Sequence, residues 1–233
     1  MELREKLDII LITYNRKNFL QKTFEQIFAS NSPIKDFDIT ILNNASDDGT
    51  TELVEEFCTN YSNIKQIVNA RNIGGCANIA KALTELPKKE YIWVLCDNDD
   101  YDWQEWDKVK NAINEGYDAV FTRSCKNTPA EIFYTATLVS GCIYKTELIT
   151  NTVAENIYDY IKLLFPHLAL ISYVINNKKS VYIVEKDIVH SGINPDHDNS
   201  FVRGLIPSLA ALLLILKVPN PATATLFPFA SSS

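Results

Sequence analysis

Three carboxylates lie within four positions of the sequence, at Asp97, Asp99 and Asp100. They follow directly on an apolar run from Tyr91 to Cys96, whose length and content of aromatic and branched residues predict a buried strand. Carboxylates gathered at a strand end repel one another unless a positive charge lies between them, and Mg²⁺ and Mn²⁺ prefer oxygen ligands. Two interpretations are therefore open: a site for a divalent cation and a diphosphate, or an acidic turn that caps the following helix.

Three earlier apolar segments of the sequence also end in polar loops. They cover residues 7–12, 37–42 and 64–68, and the polar loops that follow cover residues 13–16, 43–49 and 71–75. Segments with helical spacing lie between them, at residues 18–29, 50–58 and 77–86. This alternation predicts an α/β fold, with a Rossmann-like, mainly parallel sheet flanked by helices.

Right-handed crossovers bring the carboxyl ends of parallel strands to one rim of the sheet, where ligands bind in open α/β folds. The three carboxylates would therefore meet three other polar loops at that rim. Four polar loops that converge are harder to explain as turns than a single one. The pattern thus favours the cation and diphosphate site over the capped turn.

The second half of the sequence is less regular than the first. Its patterns predict helices over residues 102–114 and 145–151, and strands over residues 118–122, 131–139, 181–184 and 188–189. Residues 155–176 have helical spacing, which Pro166 must break or kink. We find no repeat and no long low-complexity linker before residue 203, so residues 1–203 are predicted to form one domain.

Composition limits the classes of partner. The chain has 233 residues, of which 46% are hydrophobic and 22% charged, as in ordinary globular proteins. A formal net charge of −7 argues against a nucleic-acid partner, because phosphate backbones are bound by basic surfaces. Five cysteines without a CxxC pattern predict reduced thiols, and the charged N-terminal residues predict no signal peptide. We therefore expect a cytoplasmic protein.

The C-terminal residues 204–233 differ in character from the rest. Residues 205–218 are apolar apart from Ser208 and Lys217, and the residues beyond are rich in Pro, Ala, Thr and Ser. A transmembrane helix needs about 20 apolar residues, more than this segment offers. Three interpretations stay open: a helix packed on the core, a helix that contacts a partner or the inner face of a membrane, and part of a longer region cut short here.

The four polar loops, in their order, resemble those of a known family. They read Thr13-Tyr14-Asn15-Arg16, Asn43-Asn44-Ala45-Ser46-Asp47-Asp48-Gly49-Thr50, Ala70-Arg71-Asn72-Ile73-Gly74-Gly75 and Asp97-Asn98-Asp99-Asp100. Together they resemble the nucleotide-sugar-binding half of family-two glycosyltransferases, which have the GT-A fold and a DxD motif. The resemblance makes residues 1–120 the half that binds the nucleotide-sugar and residues 121–203 a mixed half that binds the acceptor.

The resemblance implies an inverting transfer of a sugar from a nucleoside-diphosphate-sugar, most often a UDP-sugar, to a saccharide or lipid-linked acceptor. It assigns donor contacts to Thr13, Tyr14, Asn15, Arg16, Asn43, Ser46, Arg71, Asn72, Gly74, Asp97 and Asn98. Tyr14 would stack on the base, as aromatic rings commonly do. Asn43 departs from the family, which often has an Asp there that hydrogen-bonds the uracil.

The resemblance also implies a divalent cation, Mn²⁺ or Mg²⁺. Asp99 would ligate it and so assist departure of the diphosphate, Asp97 would contact the ribose, and His190 would close the cation site. The family's base is usually an Asp in a Glu-Asp pair, which this sequence lacks in its second half.

Three residues could replace that base: Glu155, Asp159 and His167. We select His167, because it follows a proline that is predicted to start a helix and because an imidazole pKa of about 6.5 suits proton abstraction near neutral pH. A histidine that merely packs at a helix start is the alternative.

Two rival functions stay open. A nucleotidyltransferase usually has a Gly-rich loop after its first strand, and residues 13–18 contain no glycine. A binding module that kept the fold and lost the base agrees with Asn43 and with the missing Glu-Asp pair.

Overall fold

The computed structural model describes residues 2–191, which form a central sheet with helices on both faces. The strands are β1 (Leu7–Thr13), β2 (Ile39–Asn43), β3 (Ile64–Val68), β4 (Tyr91–Cys96), β5 (Asp99–Tyr101), β6 (Ala119–Phe121), β7 (Cys142–Lys145), β8 (Val181–Ile183) and β9 (Val189–Ser191). The α-helices are α1 (Leu3–Lys6), α2 (Lys17–Ile27), α3 (Thr50–Asn60), α4 (Gly75–Glu85), α5 (Trp106–Glu115), α6 (Pro129–Thr135), α7 (Asn151–Asp159) and α8 (Leu168–Asn176). Short 3₁₀ turns cover Trp103–Glu105, Val139–Gly141, Thr146–Leu148 and Tyr160–Leu163.

The main sheet has the strand order β3-β2-β1-β4-β7-β6-β8. Strands β1 to β4 are mutually parallel where they pair, whereas β7 runs antiparallel to both β4 and β6. Thr13 pairs with Asn43, and Asn43 pairs with Val68, so the three strands end level with one another. The predicted common rim of strand ends is therefore confirmed.

Two apolar clusters cover the two faces of the sheet. Alternate residues of β4 divide between them: Ile92 and Val94 face α4, α6 and α8, while Trp93 and Leu95 face α2, α3 and α5. The division follows from strand geometry, because successive side chains point to opposite faces. Nearly every residue of β4 is buried, which explains why its sequence is continuously apolar and does not alternate.

The predicted strand over residues 131–139 is wrong, because this segment forms α6 and a 3₁₀ turn. Pro129 occupies the first turn of α6, and the side chain of Thr128 accepts a hydrogen bond from the N–H of Glu131 over 3.3 Å. Aromatic and branched residues suggested a strand, but the helix buries Ile132 and Phe133 equally well. The strand instead lies at Cys142–Lys145, and its last residue was predicted to start the helix over residues 145–151.

The predicted helical stretch 155–176 contains a break, as Pro166 required. It divides into α7, a 3₁₀ turn and α8, with Leu164 in the left-handed region at a φ of 67°. Among residues 2–191, none of the helices combines the length and the apolar character needed to cross a bilayer. The predicted C-terminal segment 204–233 and the domain boundary at residue 203 lie outside the described residues.

Candidate functional site

The acidic turn (residues 97–100) begins with Asp97, whose carboxylate is hydrogen-bonded to β1. The hydroxyl of Thr13 donates to Oδ2 of Asp97 over 2.7 Å, and only 8% of Asp97 is exposed. Burial raises the pKa of Asp97 to about 6, although the Thr13 hydroxyl and the nearby Arg16 charge act in the opposite direction. The guanidinium of Arg16 lies over the Phe19 ring, 5.1 Å from its centroid. Thr13, Arg16 and Asp97 therefore lie together at the rim.

Asp99 is even more deeply buried, with 1% of its surface exposed. Its Oδ2 accepts a hydrogen bond from the N–H of Cys96 over 3.1 Å, whereas Oδ1 is buried with no hydrogen-bond partner among the described residues. Burial raises the pKa of Asp99 to about 7, the Ser140 side chain opposes this, and Asp97 and Asp100 add to it. The Ser140 hydroxyl lies close enough to the Asp99 carboxylate to lower its pKa, but it makes no hydrogen bond of normal geometry to Oδ1, so this oxygen retains the capacity to bind a cation.

The short antiparallel sheet of β5 and β9 places Asp100 opposite His190 and Asp99 opposite Ser191. Residues directly opposite in an antiparallel pair lie on the same face, and neighbours along a strand lie on opposite faces. His190 therefore shares a face with Asp100, while Asp99 lies on the other face. This register places Asp100, and not Asp99, directly beside His190, and the assignment of Asp99 and His190 as cation ligands stays a prediction.

Within residues 2–191, no three His, Cys, Asp or Glu side chains converge into a complete metal-binding group. Asn98 and Asp100 do line a cavity of about 120 Å³ between the acidic turn and α2. Ligand pockets are usually about 300–1,000 Å³, so this cavity is too small for a nucleotide-sugar.

The loops after β1 and β2 are joined by Asn15. Its backbone N–H donates to Oγ of Ser46 over 2.9 Å, and its side-chain amide both donates to Oδ1 of Asp47 and accepts from the Asp47 N–H, over 2.7 and 2.9 Å. Asn15 adopts a φ of 51°, which asparagine tolerates better than most residues. The hydrogen bonds of Asn15 therefore fix the shape of the rim. Tyr14, which lies between β1 and Asn15, keeps 40% of its surface exposed.

Asn43 does not present its side chain to a ligand. It is fully buried, its Oδ1 accepts from the N–H of Ser46 over 3.0 Å, and its Nδ2 donates to Oγ1 of Thr51 over 2.9 Å. The side chain of Asn43 is thus used within its own loop, and a contact between Asn43 and the base stays a prediction. An amide uses its donor and its acceptor to close this loop, a combination that a carboxylate cannot offer.

A buried network of asparagines supports the loop after β3, and the sequence did not reveal it. Nδ2 of Asn69 donates to Oδ1 of Asn44 and to Oδ1 of Asn78, over 2.9 and 2.8 Å. Nδ2 of Asn44 donates to Oδ1 of Asn72 over 2.8 Å, and Lys81 donates to Oδ1 of Asn69 over 2.8 Å. The available signal was an asparagine directly after each of two neighbouring strands and another within an amphipathic helix.

This network holds a loop whose outer surface is open. Arg71, Asn72 and Gly74 are exposed, and Gly74 has a φ of 88°, which favours glycine. No heavy atom of the described residues lies within 4 Å of where a Cβ would stand on Gly74 or Gly75. These glycines begin α4, and a helix N-terminus with room before it can receive an anion such as a diphosphate.

His167 is a buried residue directly before α8. It is 3% exposed, and its Nε2 is 3.1 Å from the carbonyl oxygen of Thr137. Burial lowers the pKa of His167 to about 4, despite the nearby backbone carbonyls that favour its charged form. Burial and a lowered pKa are unfavourable for a general base, and the assignment of His167 as the base stays a prediction. Glu155 and Asp159 are exposed on α7.

Comparison with known families and proteins gives the following. The sequence model described as Glycosyl transferase family 2 matches residues 8–172. An uncharacterized glycosyltransferase of Mycoplasma pneumoniae is 30% identical over 102 residues, which are 43% of this chain and 33% of that protein. A poly(ribitol-phosphate) beta-glucosyltransferase of Bacillus spizizenii is 24% identical over 96 residues, 41% of this chain and 15% of that protein. The chain thus spans a third or less of the length of these relatives.

Two solved structures are similar over nearly the whole chain. Residues 1–349 of S. aureus TarS in complex with UDP align with a TM-score of 0.63 and 17% identity, over 94% of this chain and 67% of that one. A mannosyltransferase of Pyrobaculum calidifontis in complex with GDP-Man and Mn²⁺ aligns with a TM-score of 0.68 and 15% identity, over 93% and 66%. At these identities the similarity shows the fold, and it confirms the predicted GT-A architecture.

Proposed function

The chain belongs to glycosyltransferase family 2, and from this membership we propose that it transfers a sugar from a nucleoside-diphosphate-sugar to a saccharide or lipid-linked acceptor. One observation carries the proposal beyond the family name. The hydrogen bond between Thr13 and Asp97 joins the ends of β1 and β4, so the acidic turn meets the loop that holds Tyr14. The loop that holds Arg71 follows β3, which ends level with β2 and β1 along the same rim. A nucleotide-sugar needs such a surface, with an aromatic face, cationic groups and carboxylates side by side.

The donor we propose is a UDP-sugar. The exposed ring of Tyr14 would stack on the base, and Arg71 with the N-terminus of α4 would attract the diphosphate. The buried carboxylate of Asp97 would accept a hydrogen bond from a ribose hydroxyl. Support for this class of donor comes from the solved structures of similar fold, which were determined with UDP and with GDP-Man.

We further propose that Mn²⁺ or Mg²⁺ binds at the acidic turn. Asp100 and His190 share one face of the β5–β9 pair and form one candidate pair of ligands, and Asp99, on the other face, offers its Oδ1 as the alternative. A bound divalent cation would offset the negative charge that grows on the departing diphosphate. The Mn²⁺ in the similar mannosyltransferase structure supports the choice of cation. An inverting displacement, which the family resemblance implies, is part of the proposal.

A second function has a specific observation in its favour. His167 is buried and Asn43 is used within its own loop, so two residues selected from the sequence are unavailable to substrates. A module of the same fold that binds nucleotide-sugars without transferring them agrees with that arrangement. The two functions share the donor site and differ in turnover.

A thermal-shift screen of UDP-, GDP- and other nucleotide-sugars, each with and without Mn²⁺, tests the donor site. Donor binding should raise the melting temperature by mass action, and more so with Mn²⁺. Release of the nucleoside diphosphate in the presence of saccharide or lipid-linked acceptors then separates the transferase from the binding module. A screen in which no nucleotide-sugar raises the melting temperature under either condition would overturn the proposal.

A further inference from the structure

Gln26, on α2, uses its entire side-chain amide to hold the acidic turn and β5. Its Oε1 accepts from the N–H of Tyr101 over 3.0 Å. Its Nε2 donates to Oδ1 of Asp100 over 3.1 Å and to the carbonyl oxygen of Asp99 over 3.4 Å. Three consecutive residues are thus bonded to one side chain, which lies on a different element more than seventy positions earlier.

The two bonds from Gln26 to the backbone of β5 pair with groups that a neighbouring strand would otherwise pair with. β5 has three residues and pairs with β9 on one side only. The carbonyl of Asp99 and the N–H of Tyr101 are two residues apart, so they point to the same edge of β5, where a further strand would supply a peptide group. The amide of Gln26 offers the same donor and acceptor as a peptide and closes this edge.

The hydrogen bond from Gln26 to Asp100 has a different consequence, because it restrains a side chain and not the backbone. Asp100 is exposed and lies opposite His190, and one of its two carboxylate oxygens is held by Gln26. A carboxylate on an exposed strand residue otherwise rotates among several rotamers. The bond therefore limits the directions in which the second oxygen of Asp100 can point.

Thr23, one helical turn before Gln26, attaches the other end of the acidic turn. Its hydroxyl donates to the carbonyl oxygen of Asp97 over 3.0 Å, and Thr23 is 1% exposed. Helix α2 thus contacts the turn at its first residue and at its last two. The apolar face of α2, with Leu20, Phe24 and Ile27 fully buried, fixes the helix on the sheet.

We propose that Gln26 is a positioning residue for the acidic turn, which sets the backbone of residues 99–101 and the carboxylate of Asp100 for a divalent cation and a diphosphate. The inference rests on the proposed function, because that function supplies the ligands. Gln26 contacts neither the reacting sugar nor the acceptor in this arrangement and acts through Asp100. Nothing in the sequence alone distinguishes it from Gln21 on the same helix.

Gln26→Met tests the proposal, because methionine keeps the length and the helix propensity of glutamine and removes all three hydrogen bonds. Gln21→Met is the matched control, since Gln21 is exposed on the same helix and donates only to Glu25, over 3.5 Å. In calorimetric titration with UDP and Mn²⁺ together, we expect Gln26→Met to bind at least about tenfold more weakly and Gln21→Met to match the wild type. Equal affinity of Gln26→Met and wild type would overturn the proposal.

Hydrogen exchange of the ligand-free proteins provides a second readout that needs no nucleotide. The amide of Tyr101 should exchange at least about tenfold faster in Gln26→Met than in wild type, and at the wild-type rate in Gln21→Met. If the wild type binds neither UDP nor GDP with Mn²⁺, the proposed function fails, and the exchange rates still decide whether Gln26 positions the turn. Should Gln26→Met fail to fold, Gln26→Glu, which keeps the acceptor for Tyr101 and removes the donor to Asp99 and Asp100, replaces it in the titration. Unchanged affinity of Gln26→Glu then contradicts the proposal.

Discussion

The hydroxyl of Thr13 donates to Oδ2 of Asp97 over 2.7 Å, at a point where both residues are more than nine-tenths buried. The two residues end β1 and start the acidic turn, 84 positions apart in the sequence. The bond makes a single site from the loop that carries Tyr14 and the turn that carries Asp99. Four predictions concern this site and the buried residues that support it.

Asp100 and His190, which face each other across β5 and β9, should contribute together to cation binding. We expect Asp100→Asn and His190→Ala each to weaken Mn²⁺-dependent binding of UDP, and the double variant to show a coupling energy of about 0.5–3 kcal/mol. The reason is that two ligands of one cation cannot act independently. Calorimetry on the four proteins of the cycle measures the coupling. The same cycle with Asp99→Asn and His190→Ala serves as the comparison, and a larger coupling there would show that the register argument is wrong.

Asp99→Asn should stabilise the metal-free protein at alkaline pH. Burial raises the pKa of Asp99 from 3.8 to about 7. The contribution of its protonated carboxyl group to the free energy of unfolding is therefore fully present below pH 3.8 and is lost as the pH rises through 7. At pH 8 the buried charge costs on the order of 4 kcal/mol, which asparagine avoids. Urea unfolding in EDTA at pH 4 and pH 8 measures the difference between variant and wild type.

Asp100→Asn is the control for this experiment, because Asp100 is exposed, and its stability should stay within about 1 kcal/mol of the wild type at both pH values. The explanation fails if Asp99→Asn is the less stable protein at pH 8. Added Mn²⁺ should reverse the order, since a cation would stabilise the wild-type carboxylate alone.

His167 should make the fold sensitive to acid. Burial lowers the pKa of His167 from 6.5 to about 4, so the unfolded chain binds a proton in a range where the folded protein does not. The contribution of the neutral His167 imidazole to the free energy of unfolding is fully present above pH 6.5. It falls by on the order of 3 kcal/mol as the pH decreases towards 4. His167→Gln removes this titration and retains a donor for the carbonyl of Thr137.

The quantity to measure is the difference in free energy of unfolding between His167→Gln and wild type, from pH 7.5 to pH 4.5. Only the difference is informative, because the raised pKa values of Asp97 and Asp99 act with the opposite sign in an overlapping range. A difference that does not change with pH would contradict the buried, neutral imidazole. In a transfer assay, His167→Gln should keep its turnover, unlike a variant of a general base.

Asn69→Leu should disrupt the loop after β3. The substitution leaves Oδ1 of the buried Asn78 without the donor it has in the wild type, and it removes the acceptor of Lys81 and one of two donors to Oδ1 of Asn44. An unsatisfied buried polar group costs about 1–3 kcal/mol. Urea unfolding measures the loss, and UDP affinity should fall with it, because Arg71 and Gly74 lie on the loop that the network supports. Asn18→Leu, at an exposed position of α2, should change neither by a measurable amount. If both variants have the same free energy of unfolding, the asparagine network does not contribute to stability.

Local patterns in the sequence determined a large part of this protein. The apolar runs before Thr13, Asn43 and Asp97 were sufficient to predict parallel strands, and parallel strands with right-handed crossovers have only one rim for their carboxyl ends. The fold and the membership of the polar loops in one site therefore followed from short stretches of chain. The errors came where composition was ambiguous, as in residues 131–139, whose aromatic and branched side chains pack equally well on a helix.

Which atom does what was decided only by the tertiary structure. Asp99 and Asp100 are neighbours of the same type, and their faces differ because β9, ninety positions later, sets the register of β5. Asn43 and His167 carried the chemistry of a ligand contact and of a base, but burial among residues distant in sequence turned both inward. Gln26 and Gln21 are alike in composition and helix, and only Gln26 meets the turn. Burial, register and hydrogen-bond partners depend on contacts between distant segments, and the periodicity of a single segment carries no information about them.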